Sequence, residues 1–107
     1  MEKTLIRRYI NVITVMTKEG KTVPLAVSWD DGREFRISRI LHSGIHMPET
    51  GGVPVMRYTC MINGQIRYLY QEPKGYRHME TIFGGQVIER TDPGFAWFVE
   101  TENTAEE

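Results

Sequence analysis

Three groups of side chains in this 107-residue chain have types and spacings that chemistry can use. Arg36, Arg57 and Arg67 each lie in a short segment of alternating polar and apolar residues, and Tyr68 follows the last of them. Guanidinium groups on a sheet face match phosphates bidentately, and exposed tyrosines stack on bases, so this set points to nucleic-acid or anion binding. Arg7, Arg8, Arg33, Arg39 and Arg77 extend the basic set, and Tyr70 and Tyr76 the aromatic one. His42, His46 and Glu49 offer two imidazoles and a carboxylate, donors that zinc accepts, and so point to a metal-dependent enzyme. The H-x-x-x-H spacing has force on a helix, where both rings share a face; here Gly44 separates them and no HExxH pattern is present. Cys60 is the single thiol. Tyr58 and Ile62 share its expected face, so it reads as a buried small hydrophobe rather than a nucleophile.

Other chemistry has little to build on. The carboxylates Glu34, Glu72, Glu80 and Glu89 are scattered, and Asp30-Asp31 sits in a turn where local hydrogen bonding explains both. No G-x-G-x-x-G, G-x-x-x-x-G-K-[ST] or G-x-S-x-G is present. The balance leans away from an enzyme, and no cofactor is expected. A net charge of −1 hides an asymmetry. Residues 1–77 carry 12 Lys/Arg against 7 Asp/Glu, and residues 78–107 carry 1 against 7. A pI near 6.3 argues against a dedicated nucleic-acid binder. One cysteine allows no internal disulfide and favours a reducing, cytoplasmic setting. No segment approaches the roughly 18 apolar residues that span a bilayer, so no membrane partner is expected.

The elements that must position these residues are strands. Segments of period-2 alternation are separated by Glu19-Gly20, Asp30-Asp31-Gly32 and Asn63-Gly64, which are hairpin turn signals. Strands are expected over 6–16, 22–29, 33–39, 54–62, 65–71 and 95–99. A bulge is expected near 10–12, and Pro24 marks an edge position or a second bulge. Val23, Leu25, Val27 and Trp29 are expected on one face, with Trp29 in the core. Residues 42–52 contain three glycines and a proline and read as a long loop. Pro73-Lys74-Gly75 is expected to end a strand, Gly84-Gly85 to join two short strands, and Asp92-Pro93-Gly94 to form a turn. On this pattern Arg36, Arg57 and Arg67 emerge together on solvent-facing sides.

The runs DGREFRISRIL, RYTCMINGQIRYLYQE and GFAWFVE resemble small bacterial β-barrel proteins of unknown function. The resemblance rests on Gly32, Phe35 and Ile37, on Arg57 and Tyr58, on Leu69 and Tyr70, and on Trp97 and Phe98. It spans about residues 12–100, implies a bacterial origin and brings no activity with it. The expectation is therefore all-β: a small antiparallel, SH3-like β-barrel or strongly curled sheet of six to seven short strands. One domain covers 1–100, and an acidic disordered tail covers 101–107. The function expected is a binding or interaction module, protein–protein and self-associating as a homodimer, supported by an aromatic and methionine content that suits interface cores. The alternatives are nucleic-acid binding through the arginine face and a metal-dependent enzyme at the His42/His46 loop.

Overall fold

The structure, a computed structural model, describes residues 4–102. It is an all-antiparallel, strongly curled sheet of seven strands: β1 (Leu5–Met16), β2 (Thr22–Ser28), β3 (Glu34–Arg36), β4 (Arg39–His46), β5 (Val55–Ile62), β6 (Gln65–Thr81) and β7 (Val87–Glu102). Their spatial order is β3-β2-β1-β7-β6-β5-β4. The two ends of that order are consecutive in sequence. Between them the Ile37 amide donates to the Leu25 carbonyl at 2.9 Å, and the Ser38 amide donates to the Met61 carbonyl at 2.9 Å. One short segment thus bonds to both margins of the sheet, which is how a domain this small limits exposed strand edges.

Turn chemistry sets the hairpins. Asn63 and Gly64 both have positive φ, at 51° and 73°, the type I′ geometry whose twist matches the flanking strands. Curling is eased by a register shift between Ile13 and Thr14, opposite Pro24. Pro24 has no amide to give a ladder, so a bulge is where a strand tolerates it. The extra residue is Leu25 on β2, beside Pro24 where a bulge was expected, whereas the bulge expected on β1 near 10–12 is absent from its pairing with β2 and β7. The bulge at Leu25 also breaks the parity of β2: Leu25 turns out to solvent while Ala26 and Val27 are both buried.

The concave side holds the main core of Ile10, Val27, Cys60, Leu69 and Trp97, with Val12, Trp29, Ile37, Ile40, Tyr58, Ile62 and Val99 packed against it. A second cluster, Val55, Tyr70 and Phe98, lies on the opposite face. Consecutive residues Leu69, Tyr70 and Gln71 are therefore all buried, as are Trp97 and Phe98. A strand covered on both faces loses the alternation that marks a half-exposed one.

Three expectations about elements change. Residues 42–46 belong to β4, and the irregular stretch is confined to 47–54. Pro73-Lys74-Gly75 does not end a strand, and Asp92-Pro93-Gly94 is not a turn: both lie in continuous pairing, Pro73 with Phe95 and Gly75 with Pro93. β5 stops pairing with β6 at Gln71, and β1 stops pairing with β7 at Trp97. Beyond those points each strand has a single neighbour, so an outward-facing proline nitrogen costs no ladder bond. The two prolines fall in the same alternate set of register pairs, as that requires. Gly84-Gly85 does join the two strands, with positive φ at both. β7 continues to Glu102, paired with Leu5. Of the tail expected over 101–107, residues 101 and 102 are instead in β7, and 103–107 lie outside the described residues.

The β6–β7 ribbon reaches from 72 to 96 with no flanking strand among the described residues. At about 3.3 Å per residue its ten-residue strands extend roughly 30 Å. The molecule measures 60 × 37 × 29 Å, long in one direction as such a projection requires.

Candidate functional site

Two features stand apart from plain core packing: the outer face over Tyr70 and Phe98, and the ribbon. On the outer face Tyr70 stacks on Phe98, with centroids 5.0 Å apart and planes 9° from parallel. Arg7 lies over the Phe98 ring at 4.0 Å. Its guanidinium donates to Thr50 Oγ1 at 3.2 Å, to the Gly51 carbonyl at 2.7 Å, to Glu72 Oε2 at 3.2 Å and to the Tyr9 hydroxyl at 3.3 Å. Tyr9 in turn donates to Glu72 Oε1 at 2.8 Å, and the Thr50 amide donates to Glu100 Oε2 at 2.7 Å. Arg7 and Glu100 therefore strap the 47–54 segment down onto the sheet. Gly52 sits against this strap at φ +94°, and a Cβ there would stand 3.3 Å from Arg7 Nη2.

Arg57 occupies the same face in the opposite condition. It is half-buried, and among the described residues no carboxylate pairs with it. Its guanidinium lies 4.5 Å from the Tyr68 ring centroid, and Nη1 is 3.4 Å from His46 Nε2. The Tyr70 hydroxyl is held chiefly by burial above the usual phenol range; the neighbouring Glu100 adds to that rise, and Arg57 opposes it. These groups open into a cleft of about 850 Å³. Its lining wraps from one face of the sheet to the other: Leu5 lies on the side of Arg57, and Val27, Trp29, Phe35, Ile62 and Val99 belong to the concave side. Arg33, Arg57, Arg67, Glu49 and Glu100 supply its charges.

The sequence-predicted residues divide across this geometry. Arg57, Tyr68 and His46 are brought together. Arg67 is not with them in register: it pairs with Cys60, on the concave face, whereas Arg57 pairs with Tyr70. It lies at the rim of the cleft, its guanidinium bonded to Gln65 Oε1. Arg36 pairs with Ala26 on β3, at the far end of the strand order. The three arginines thus form no shared face. The reversal comes from β6, where Leu69 takes the inner side and Tyr68 and Tyr70 the outer. The side chains of Tyr76, Arg77 and Glu80 lie outside the described residues.

His42 and His46 both lie on β4, and four residues of strand separate them by about 13 Å, beyond the reach of one ion. Glu49 lines the cleft beside His46 but not beside His42. Among the described residues no group of three His, Cys, Asp or Glu could hold a metal ion. Cys60 is fully buried in the core, and that burial pushes its thiol up to about 11. Sequence reasoning placed Arg7 only in the extended arginine set and missed Glu100; the roles of both depend on a segment more than forty residues away. It read the Gly84-Gly85 hairpin but took its strands to be short, and so missed the length of the ribbon, whose pairing runs unbroken from Tyr70 with Phe98 to Thr81 with Val87.

The ribbon carries exposed Met79, Phe83, Val87 and Phe95, with Phe83 at the turn fully open to solvent. At its base the Lys74 ammonium lies 5.2 Å from the Tyr9 ring centroid. Where β1 and β7 part, Tyr9, Phe95 and Trp97 border a second cleft of about 390 Å³. Among the described residues no helix is long and apolar enough to cross a membrane. In comparisons with known proteins, no family model, curated protein or solved structure matched the chain.

Proposed function

We propose that this protein is an interaction module that self-associates through the β6–β7 ribbon. The observation that carries the reading is a two-stranded arm whose outer edges pair with no strand among the described residues and whose large apolar side chains Met79, Phe83, Val87 and Phe95 stand in water. An isolated two-stranded hairpin is marginal in water, and paired strands with a covered apolar face gain stability. A second copy suits the arm's charge. Residues 72–96 contain Lys74, Arg77 and Arg90 against Glu72, Glu80, Glu89 and Asp92, a mixed set with net charge −1. That balance favours pairing with a like surface over the polyanionic backbone of a nucleic acid. Antiparallel pairing of two arms about a two-fold axis places the same patch on both partners, the usual symmetry of a homodimer. A cytoplasmic setting belongs to the same proposal and rests on the lone buried cysteine.

Sedimentation equilibrium across the micromolar range tests it. A concentration-dependent dimer that Phe83→Asp converts to monomer is the expected result. A strict monomer across that range, or a dimer indifferent to both Phe83→Asp and Met79→Lys, sinks the reading.

A further inference from the structure

We propose that the slot between β6 and β7 binds an extended segment of another protein by strand addition, and that this segment alternates acidic with apolar residues. The two strands pair with each other only from Tyr70 and Phe98 toward the ribbon. On the other side of that point, among the described residues, 65–69 of β6 pair with β5 alone and 99–101 of β7 pair with β1 alone. Two strand edges therefore face each other across a gap. The cleft of about 850 Å³ is that gap, with Ile66, Arg67 and Tyr68 on one side and Val99, Glu100 and Thr101 on the other. An open edge is a row of backbone donors and acceptors that an added strand satisfies.

An added strand also answers the division of the cleft between two faces. Its successive side chains point to opposite sides of the sheet, one set inward and the next outward. Inward lie Val27, Trp29, Ile62 and Val99, which suit apolar side chains. Outward lies Arg57, its guanidinium 4.5 Å from the Tyr68 ring centroid, with no carboxylate paired to it among the described residues. A carboxylate that leans across Tyr68 meets its fork of donors. Arg7 spends the same fork on four acceptors and holds a loop in place, whereas Arg57 makes one side-chain contact of 3.4 Å. Arg33, Arg57 and Arg67 outnumber Glu49 and Glu100 around the slot, which favours an acidic segment over a basic one. The receiving edge is that of β6. An acidic segment paired along β7 sets a carboxylate beside Glu100, and like charges on neighbouring strands repel.

The slot lies at the opposite end of β6 and β7 from the ribbon, so its test is run on the Phe83→Asp variant as well as the wild type. The measurement is amide hydrogen exchange and chemical shift by two-dimensional NMR. The probes are three short acetylated, amidated peptides: one alternating glutamate with valine, one alternating lysine with valine, and one with the glutamates and valines of the first gathered into two blocks. The alternating glutamate peptide at millimolar concentration should slow exchange at alternate amides of 65–69 and shift the amides of Arg57 and Tyr70 in both proteins. Arg57→Gln should weaken that binding at least about tenfold, as expected for a lost charge-assisted fork. Arg57→Lys, which keeps the charge and the aliphatic stem, should fall between. The proposal fails if no amide of 65–69 slows, or if Arg57→Gln binds like the wild type. It also fails if the lysine peptide or the block peptide binds as tightly, because neither charge nor alternation would then be read. Protection confined to the ribbon, and lost in Phe83→Asp, overturns it in favour of the self-association surface as the peptide's site.

Discussion

Strands β6 and β7 live in two environments. Inside the barrel, Leu69, Tyr70, Gln71, Trp97 and Phe98 are shut away from water, whereas further along the same two strands Met79, Val87 and Phe95 stand in it. Backbone pairing is continuous throughout, from Tyr70 against Phe98 to Thr81 against Val87. The difference lies in the neighbours. Where β1 and β5 flank the pair, one face closes over Cys60 and Ile10 and the other lies under the 47–54 segment. Past Gln71 and Trp97 both neighbours are gone. Strand pairing by itself buries little; apolar area leaves water when further strands or a loop cover the faces. One stretch of hairpin is consequently a fold element, and its continuation is a surface waiting for one.

If that contrast holds, substitutions should separate cleanly along the strands. Phe98→Ala removes a fully buried ring stacked between Tyr70 and Arg7 and should cost about 3–5 kcal/mol in urea unfolding. Arg7→Ala breaks the strap without touching the concave core. It should cost about 1–3 kcal/mol and leave 47–54 open to limited proteolysis before global unfolding. Cys60 sharpens the barrel side through pH. The folded thiol is raised to about 11 from an ordinary 9.0, so both states are neutral below the ordinary value and the stabilisation is then complete. As pH climbs from there toward 11, the unfolded chain ionises first and stability falls. Urea midpoints should drop more steeply over that window in the wild type than in Cys60→Ala. At the far end of the ribbon, Phe83→Asp should change stability by less than about 0.5 kcal/mol at concentrations where the wild type is monomeric, while still abolishing association. A large loss of stability there would mean that the ribbon packs on its own barrel, and the contrast between the two halves would collapse.

Much of the architecture was legible because turn chemistry is local. Asn63-Gly64, Asp31-Gly32 and Glu19-Gly20 announce hairpins through the backbone angles that those residues permit, and Pro24 announces a bulge through the amide that it lacks. Cys60 on the same side as Tyr58 and Ile62 followed from period-2 alternation alone, and the core contains all three. The ribbon was misread for the same reason that turns were read well. Pro73-Lys74-Gly75 and Asp92-Pro93-Gly94 are breakers in a sheet interior, but they are tolerated where each strand has one neighbour. Sequence carries no direct record of how many neighbours a strand has.

Within the candidate site, the pairing of Arg57 with Tyr68 could be anticipated in kind and not in partner. The expected face of Arg36, Arg57 and Arg67 assumed that one side of every strand meets water. β6 is covered on both sides, so its apolar residues run consecutively and parity gives no direction. Composition and local signals in the chain determined an all-β, antiparallel domain, its hairpins and its central thiol, since each depends on residues within a few positions of one another. Tertiary structure alone decided that Arg7 reaches Thr50 and Gly51, that Arg57 lies against Tyr68 and His46, and that 72–96 outrun their neighbours among the described residues. Those outcomes depend on register and curl, and hence on contacts between residues far apart in the chain.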